Sequence, residues 1–121
     1  YLSFTGRHRT DLKPYLYKTD DYGETWYSIT NNLPNEPINV ITEDKKNHNL
    51  LFVGTDRTVY VSINGGLSWY QMKNDLPTIP IHDMIIHPRE NDLIVGTHGR
   101  GFYITNISPL QEINSNILSL L

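Results

Sequence analysis

The chain has no cysteine. That excludes a disulfide framework and a zinc site built on thiolates. It has no apolar run near the roughly 18 residues that a membrane-crossing helix needs, so no membrane span is expected. It is short of positive charge: ten Lys and Arg stand against thirteen Asp and Glu, for a net charge of −3. The basic residues are scattered, whereas nucleic acid wants a basic face, so no nucleic-acid partner is expected. There is no phosphate loop and no Ser-His-Asp arrangement. No charged and apolar leader opens the chain, and Tyr1-Leu2-Ser3-Phe4 reads as the inside of a strand. What remains is ordinary folded material, 38% hydrophobic and 19% charged, in 121 residues, about one domain.

What is present is repetition. Thr19-Asp20-Asp21-Tyr22-Gly23-Glu24-Thr25-Trp26 returns 43 residues later as Ser62-Ile63-Asn64-Gly65-Gly66-Leu67-Ser68-Trp69. Both copies read Ser/Thr, any, Asp/Asn, any, Gly, any, Ser/Thr, Trp. Asp21 and Asn64 are expected to accept hydrogen bonds from backbone N–H groups one or two residues on, closing a turn. Gly23 and Gly66 supply the positive φ that a tight reversal demands. Thr25 and Ser68 can bond back across the turn. Trp26 and Trp69 then start the returning strand and are expected to bury their rings between neighbouring sheets. The unit is a hairpin corner with no chemistry of its own.

The repeat runs further. Leu33-Pro34 returns as Leu76-Pro77, and Pro37-Ile38 as Pro80-Ile81, both after 43 residues; Val53-Gly54-Thr55 returns as Val95-Gly96-Thr97 after 42. The segments are short, β-branched and aromatic, with Gly, Pro, Asn and Asp between them, which predicts strands. One full unit predicts strands at about 38–43, 50–54, 59–62 and 68–72. Four antiparallel strands in about 43 residues is one blade of a β-propeller, so the fold class is all-β. The blades are expected at about 1–34, 35–77 and 78–113, with the propeller part ending near 108 and a tail over 109–121. The first lacks its innermost strand. The third has lost its corner, and its tail predicts a short strand around 111–113 and then a helix or linker. The chain therefore holds fewer than three blades. A ring closes with roughly four to eight, so the expected partners are the remaining blades of a longer protein.

The twin corners resemble the Asp-box, or bacterial neuraminidase repeat, found in sialidases, sortilin-type receptor propellers and xyloglucan-degrading glycosidases. Residues 15–110 are more closely similar to the final blades of bacterial sortilin-like repeat proteins, often labelled glycosyl hydrolases. Tyr15-Leu16-Tyr17-Lys18-Thr19-Asp20-Asp21, Pro37-Ile38-Asn39-Val40-Ile41, Leu51-Phe52-Val53-Gly54-Thr55 and the stretch from Pro80-Ile81-His82-Asp83 to His98-Gly99-Arg100-Gly101 carry the likeness. It implies an extracytoplasmic protein, periplasmic or secreted. It also implies an orientation: the corners lie on the face opposite the usual site. The loops between second and third strands share the site face with the blade-to-blade crossings.

That orientation collects Arg7, His8, Arg9, Asp11, Asp56, Arg57, His98 and Arg100 on one rim, with His82 and Asp83 at the start of an inner strand. One reading is a polar funnel for an anionic or sugar ligand. The other is that hairpin tips are polar because they are wet. Arg100, between Gly99 and Gly101, is the foremost single candidate. The first of these loops spans nine residues, 6–14, more than a tight hairpin needs, and is expected to lean towards Arg57 and Arg100.

Catalysis is less well supplied. Glycosidases need two carboxylates about 5 Å or about 6.5–9.5 Å apart. Asp83 is the only acid placed near an inner-strand start, and it has no nameable partner. His82 and His87 differ by five positions and point to opposite faces of a strand, so no metal site is expected, and no cofactor. The sequon Asn106-Ile107-Ser108 is expected to be unused in a bacterial protein. The expected function is non-catalytic binding of a glycan or a protein segment. The rival is a stretch of a polysaccharide-active hydrolase, sialidase-like or xyloglucanase-like, whose catalytic residues lie mainly in other blades.

Overall fold

The computed structural model describes residues 2–6, 11–30, 32–72, 78–97, 99 and 101–111, with side chains from Leu16 onward. Three antiparallel sheets follow one another along the chain. The first contains β1 (Leu2–Gly6), β2 (Asp11–Lys18) and β3 (Tyr27–Ser28). The second contains β4 (Ile38–Glu43), β5 (Leu51–Thr55), β6 (Val59–Ser62) and β7 (Tyr70–Gln71). The third contains β8 (Ile81–Ile86), β9 (Asp92–Thr97) and β10 (Phe102–Asn106), and a one-turn helix, α1 (Ser108–Gln111), follows it. In each sheet the strands pair in chain order, and β4 packs against β8 and β1 against β4. This is the arrangement of successive propeller blades, an all-β fold that forms no closed barrel.

The core lies between the sheets. Side chains alternate along a strand, so β5 sends Leu51 and Val53 one way and Phe52 the other. Leu51 and Val53 join Leu16, Ile29, Ile38 and Trp69 between the first and second sheets. Phe52 joins Val59, Val61, Ile81, Met84, Leu93 and Val95 between the second and third. That is why every residue of β5 is buried. The approach is close enough to demand glycine at position 54. A Cβ there would lie 2.5 Å from Ile81 Cγ2 and 2.8 Å from Val40 Cγ1. On the far side of the third sheet the equivalent face is bare among the described residues. Ile85, Phe102 and Ile104 are exposed there, where the second sheet buries Phe52, Val59 and Val61.

The corners share one hydrogen-bond pattern. Thr19 Oγ1 accepts from Gly23 N at 2.9 Å, and Asp21 Oδ1 accepts from Thr25 N at 2.8 Å. Ser62 Oγ accepts from Gly66 N at 2.8 Å, and Asn64 Oδ1 accepts from Ser68 N at 3.0 Å. Gly23 and Gly66 both have φ of +95°. The bonds to Asp21 and Asn64 thus come from four residues on, a wider turn than the expected one or two. The copies differ in one donor. Thr25 donates its hydroxyl to Asp21, whereas Asn64 Nδ2 donates to Ser68 Oγ at 2.8 Å. The bonds from Thr25 hold the Asp21 carboxyl down at about 2.

Four expectations are corrected. Trp69 is buried, but Trp26 is 44% exposed. Trp69 lies against the preceding sheet and donates Nε1–H to the Ile29 carbonyl at 2.7 Å, while Trp26 bonds back within its own corner, to Gly23 O at 3.1 Å. The first rim loop is also shorter than nine residues. β2 already starts at Asp11, which pairs with Gly6. Pro14 lacks an N–H but falls beside a register shift between Phe4 and Gly6, where a bulge tolerates it. The fourth strands are two-residue pieces, β3 and β7, rather than five. The third sheet's expected fourth strand begins at Gln111, which is helical. Asn106 Oδ1 accepts from Ser108 N at 3.1 Å, starting α1, and Gln111 Nε2 donates to the buried Asp44 Oδ1 at 2.8 Å.

Candidate functional site

The loop between β5 and β6 is built by Thr55. Its Oγ1 accepts from Arg57 N and from Thr58 N, both at 3.1 Å, and its backbone N–H donates to Thr58 O at 2.9 Å. This turns the chain in three residues and projects Arg57 outwards. The loop also ties both crossings. Asp56 N donates to Pro37 O at 3.2 Å, and Ile79 N donates to Arg57 O at 2.9 Å. Glu36, before β4, and Thr78, before β8, are thereby brought to either side of Arg57. The loop precedes β6 and the Asn64 corner follows it, so the two stand at opposite ends of that strand.

A cleft of about 270 Å³ opens here, lined by Pro34, Glu36, Arg57, Thr58, Tyr60, Gln71 and Thr78. Tyr60 and Gln71 sit opposite each other on β6 and β7. Glu36 is only 8% exposed. Its Oε1 lies 3.7 Å from Arg57 Nε, and its Oε2 has no hydrogen-bond partner among the described residues. Burial, and then the hydrogen bond with Glu36, push the Tyr60 phenol up to about 12. Tyr60 therefore stays protonated at neutral pH. The site combines a buried carboxylate with one free oxygen, a neutral phenol and an exposed guanidinium.

The profile of the Sortilin-Vps10 family, described as "Sortilin, neurotensin receptor 3", matches residues 15–109. The chain belongs to the Sortilin-Vps10 family. The matched span contains both corners and every residue of the cleft. No curated protein matches the chain.

In this Sortilin-Vps10 chain the expected rim residues separate into groups. Arg57 lines the cleft. Asp56 faces the inner strands, where Asn39 Nδ2 donates to its Oδ1 at 2.9 Å and to the Ile81 carbonyl at 3.1 Å. His82 is exposed on β8, and Asp83 Oδ1 accepts from Met84 N at 2.9 Å. Asn39 and His82 occupy matching register irregularities, between Ile38 and Val40 and between Ile81 and Asp83. Such bulges re-aim side chains at the ends of inner strands. Arg7, His8, Arg9, His98 and Arg100 lie outside the described residues. The glycines flanking position 100 have φ of +86° and +80°, as expected of them. Among the described residues no cluster of three or more His, Asp or Glu is placed to hold a metal ion, and no helix is long and apolar enough to cross a membrane.

Sequence reasoning missed Glu36, Tyr60 and Gln71. Tyr60 and Gln71 lie on strands and Glu36 in a crossing, and none of them belongs to a motif. A signal for Glu36 does exist. It aligns with Ile79, 43 residues later in the matching crossing, and Ile79 is buried. An acid where the twin repeat buries an isoleucine marks a charge held inside for a reason other than packing.

Proposed function

We propose that the chain is a non-catalytic binding segment of a propeller, and that the Glu36–Arg57–Tyr60 cleft receives part of its ligand, a glycan or a protein segment. One observation carries this reading: a carboxylate about nine-tenths buried keeps an oxygen without a partner among the described residues at an open cleft. Leaving a buried acceptor unpaired costs about 1–3 kcal/mol, and more for a charge. A guest that supplies a donor there removes that cost. The finer reading of the corners as Asp-box repeats is supported by their shared hydrogen bonds and paired glycine conformations. The partners in this reading are further blades against the bare flank of the third sheet, in an extracytoplasmic protein.

The test is a titration of isotope-labelled chain with oligosaccharides and with peptides, read by chemical-shift changes. Glu36, Arg57 and Tyr60 should respond together to one class, with no turnover of the added glycans. A ligand that shifts only the Asn64 end of β6 would reject the cleft as the site.

A further inference from the structure

We propose that the Glu36 cleft takes a primary ammonium group, presented as a lysine side chain of a protein segment. This rests on the reading of the cleft as a binding site and names the chemistry of its guest. The argument begins with the inventory of donors and acceptors. Glu36 Oε2 is a free acceptor among the described residues. Tyr60 is protonated, and a phenol oxygen that carries its proton still has lone pairs with which to accept. Gln71 and Thr78, whose side chains carry an amide oxygen and a hydroxyl able to accept, also line the cleft. An ammonium offers three donors and no acceptor, which complements this set.

Charge points the same way. Arg57 answers Glu36 weakly. Its Nε stands 3.7 Å away, beyond hydrogen-bond distance, and its side chain is 67% exposed to screening water. The buried carboxylate therefore keeps much of its negative potential towards the cleft. A neutral hydroxyl would supply a donor but no charge. An ammonium supplies both, and charge-assisted bonds are roughly twice as strong as neutral ones. The sign is opposite to that expected from counting rim arginines, because the buried charge here is negative and the arginine is the one facing water. Arg57 then acts as a competing cation, displaced from Glu36 when the guest enters.

The experiment uses the full chain with Nα-acetyl-lysine amide as the probe and Nα-acetyl-norleucine amide as its uncharged counterpart. Nα-acetyl-Nε-acetyl-lysine amide and a neutral oligosaccharide complete the set. The lysine probe should shift the Glu36 and Tyr60 resonances, while the norleucine and acetylated probes should not. Glu36→Gln should weaken binding of the lysine probe about tenfold or more. Arg57→Ala, at an exposed position that leaves the fold intact, should tighten that binding. Equal binding of the charged and uncharged probes, or loss of lysine binding in Arg57→Ala, would overturn the inference. If the oligosaccharide alone shifts these resonances, the cleft is a binding site but its guest is not an ammonium. If no probe shifts them, both readings fail.

Discussion

Trp69 and Trp26 occupy matching positions in the two corners, yet replacing them by alanine should have unequal effects. Trp69 is 3% exposed and packs with Leu16, Ile29, Ile38, Leu51 and Val53. A buried tryptophan removes up to about 250 Å² from water, and truncation of such a residue costs about 3–5 kcal/mol. Its loss also orphans the Ile29 carbonyl, which accepts from Trp69 Nε1 at 2.7 Å. The backbone at Trp69 is clamped as well: Asn32 Oδ1 accepts from its N–H at 2.7 Å, and Asn32 Nδ2 donates to its carbonyl at 2.8 Å. That clamp survives truncation, so the cost should reside in the ring. Trp26 is 44% exposed and, among the described residues, bonds within its own corner, so its loss should cost about 1–2 kcal/mol on an area basis. Urea denaturation followed by far-ultraviolet circular dichroism, at matched protein concentration, measures both. Trp69→Phe keeps most of the ring and isolates the Nε1 bond, and should cost less than Trp69→Ala. Equal losses for Trp69→Ala and Trp26→Ala would refute the claim that the neighbouring sheet, rather than the corner, holds this ring.

Gly54→Ala should cost about 1–3 kcal/mol of stability through overpacking, and so lower the melting temperature, because its Cβ would meet Ile81 at 2.5 Å. Gly96→Ala, whose nearest neighbour is Phe102 at 3.6 Å, should be tolerated, and a similar loss at both positions would contradict the close packing of second and third sheets. Asp21 is depressed in the folded chain, so its contribution is present above its ordinary 3.8 and is lost as pH falls towards about 2. Asp21→Asn, which copies Asn64 in the second corner, should flatten the pH dependence of stability in that window; an unchanged slope in urea titrations would assign it to other carboxyls. Phe102 and Ile104 are 78% and 65% exposed on the bare flank, so the chain should self-associate. Phe102→Ser with Ile104→Thr should reduce its sedimentation coefficient at high concentration, and an unchanged value would show that this flank is not sticky.

The repeat, and with it the sheets, was legible because both rest on local chemistry. A corner is closed by atoms within five or so residues: Thr19 to Gly23, Asp21 to Thr25, Ser62 to Gly66. Strand periodicity is equally local, and β4, β5 and β6 fall close to where alternation and Gly or Pro punctuation put them. The first rim loop was misjudged because Pro14 reads locally as a strand breaker, while the bulge that accommodates it depends on pairing with β1. The fourth strand of the third sheet was misjudged for a similar reason. Whether the chain leaves β10 as a strand or a helix depends on Asn106 capping Ser108 and on Asp44, far back in the chain, accepting from Gln111.

By itself, then, the order of residues determined the four-strand unit, its corners and the all-β class. These follow from turn chemistry and a period of two, which need no knowledge of neighbours. Tertiary structure alone decided which of two matched tryptophans is buried, since that depends on the presence of a packed sheet beside it. It also decided the site. Glu36, Arg57, Tyr60 and Gln71 lie on a crossing, a loop and two strands. The hydrogen bonds from Asp56 to Pro37 and from Ile79 to Arg57 draw the crossings and the loop into one cleft. That Glu36 Oε2 lacks a partner among the described residues is a property of that three-dimensional enclosure, because burial removes the water that would otherwise have satisfied it.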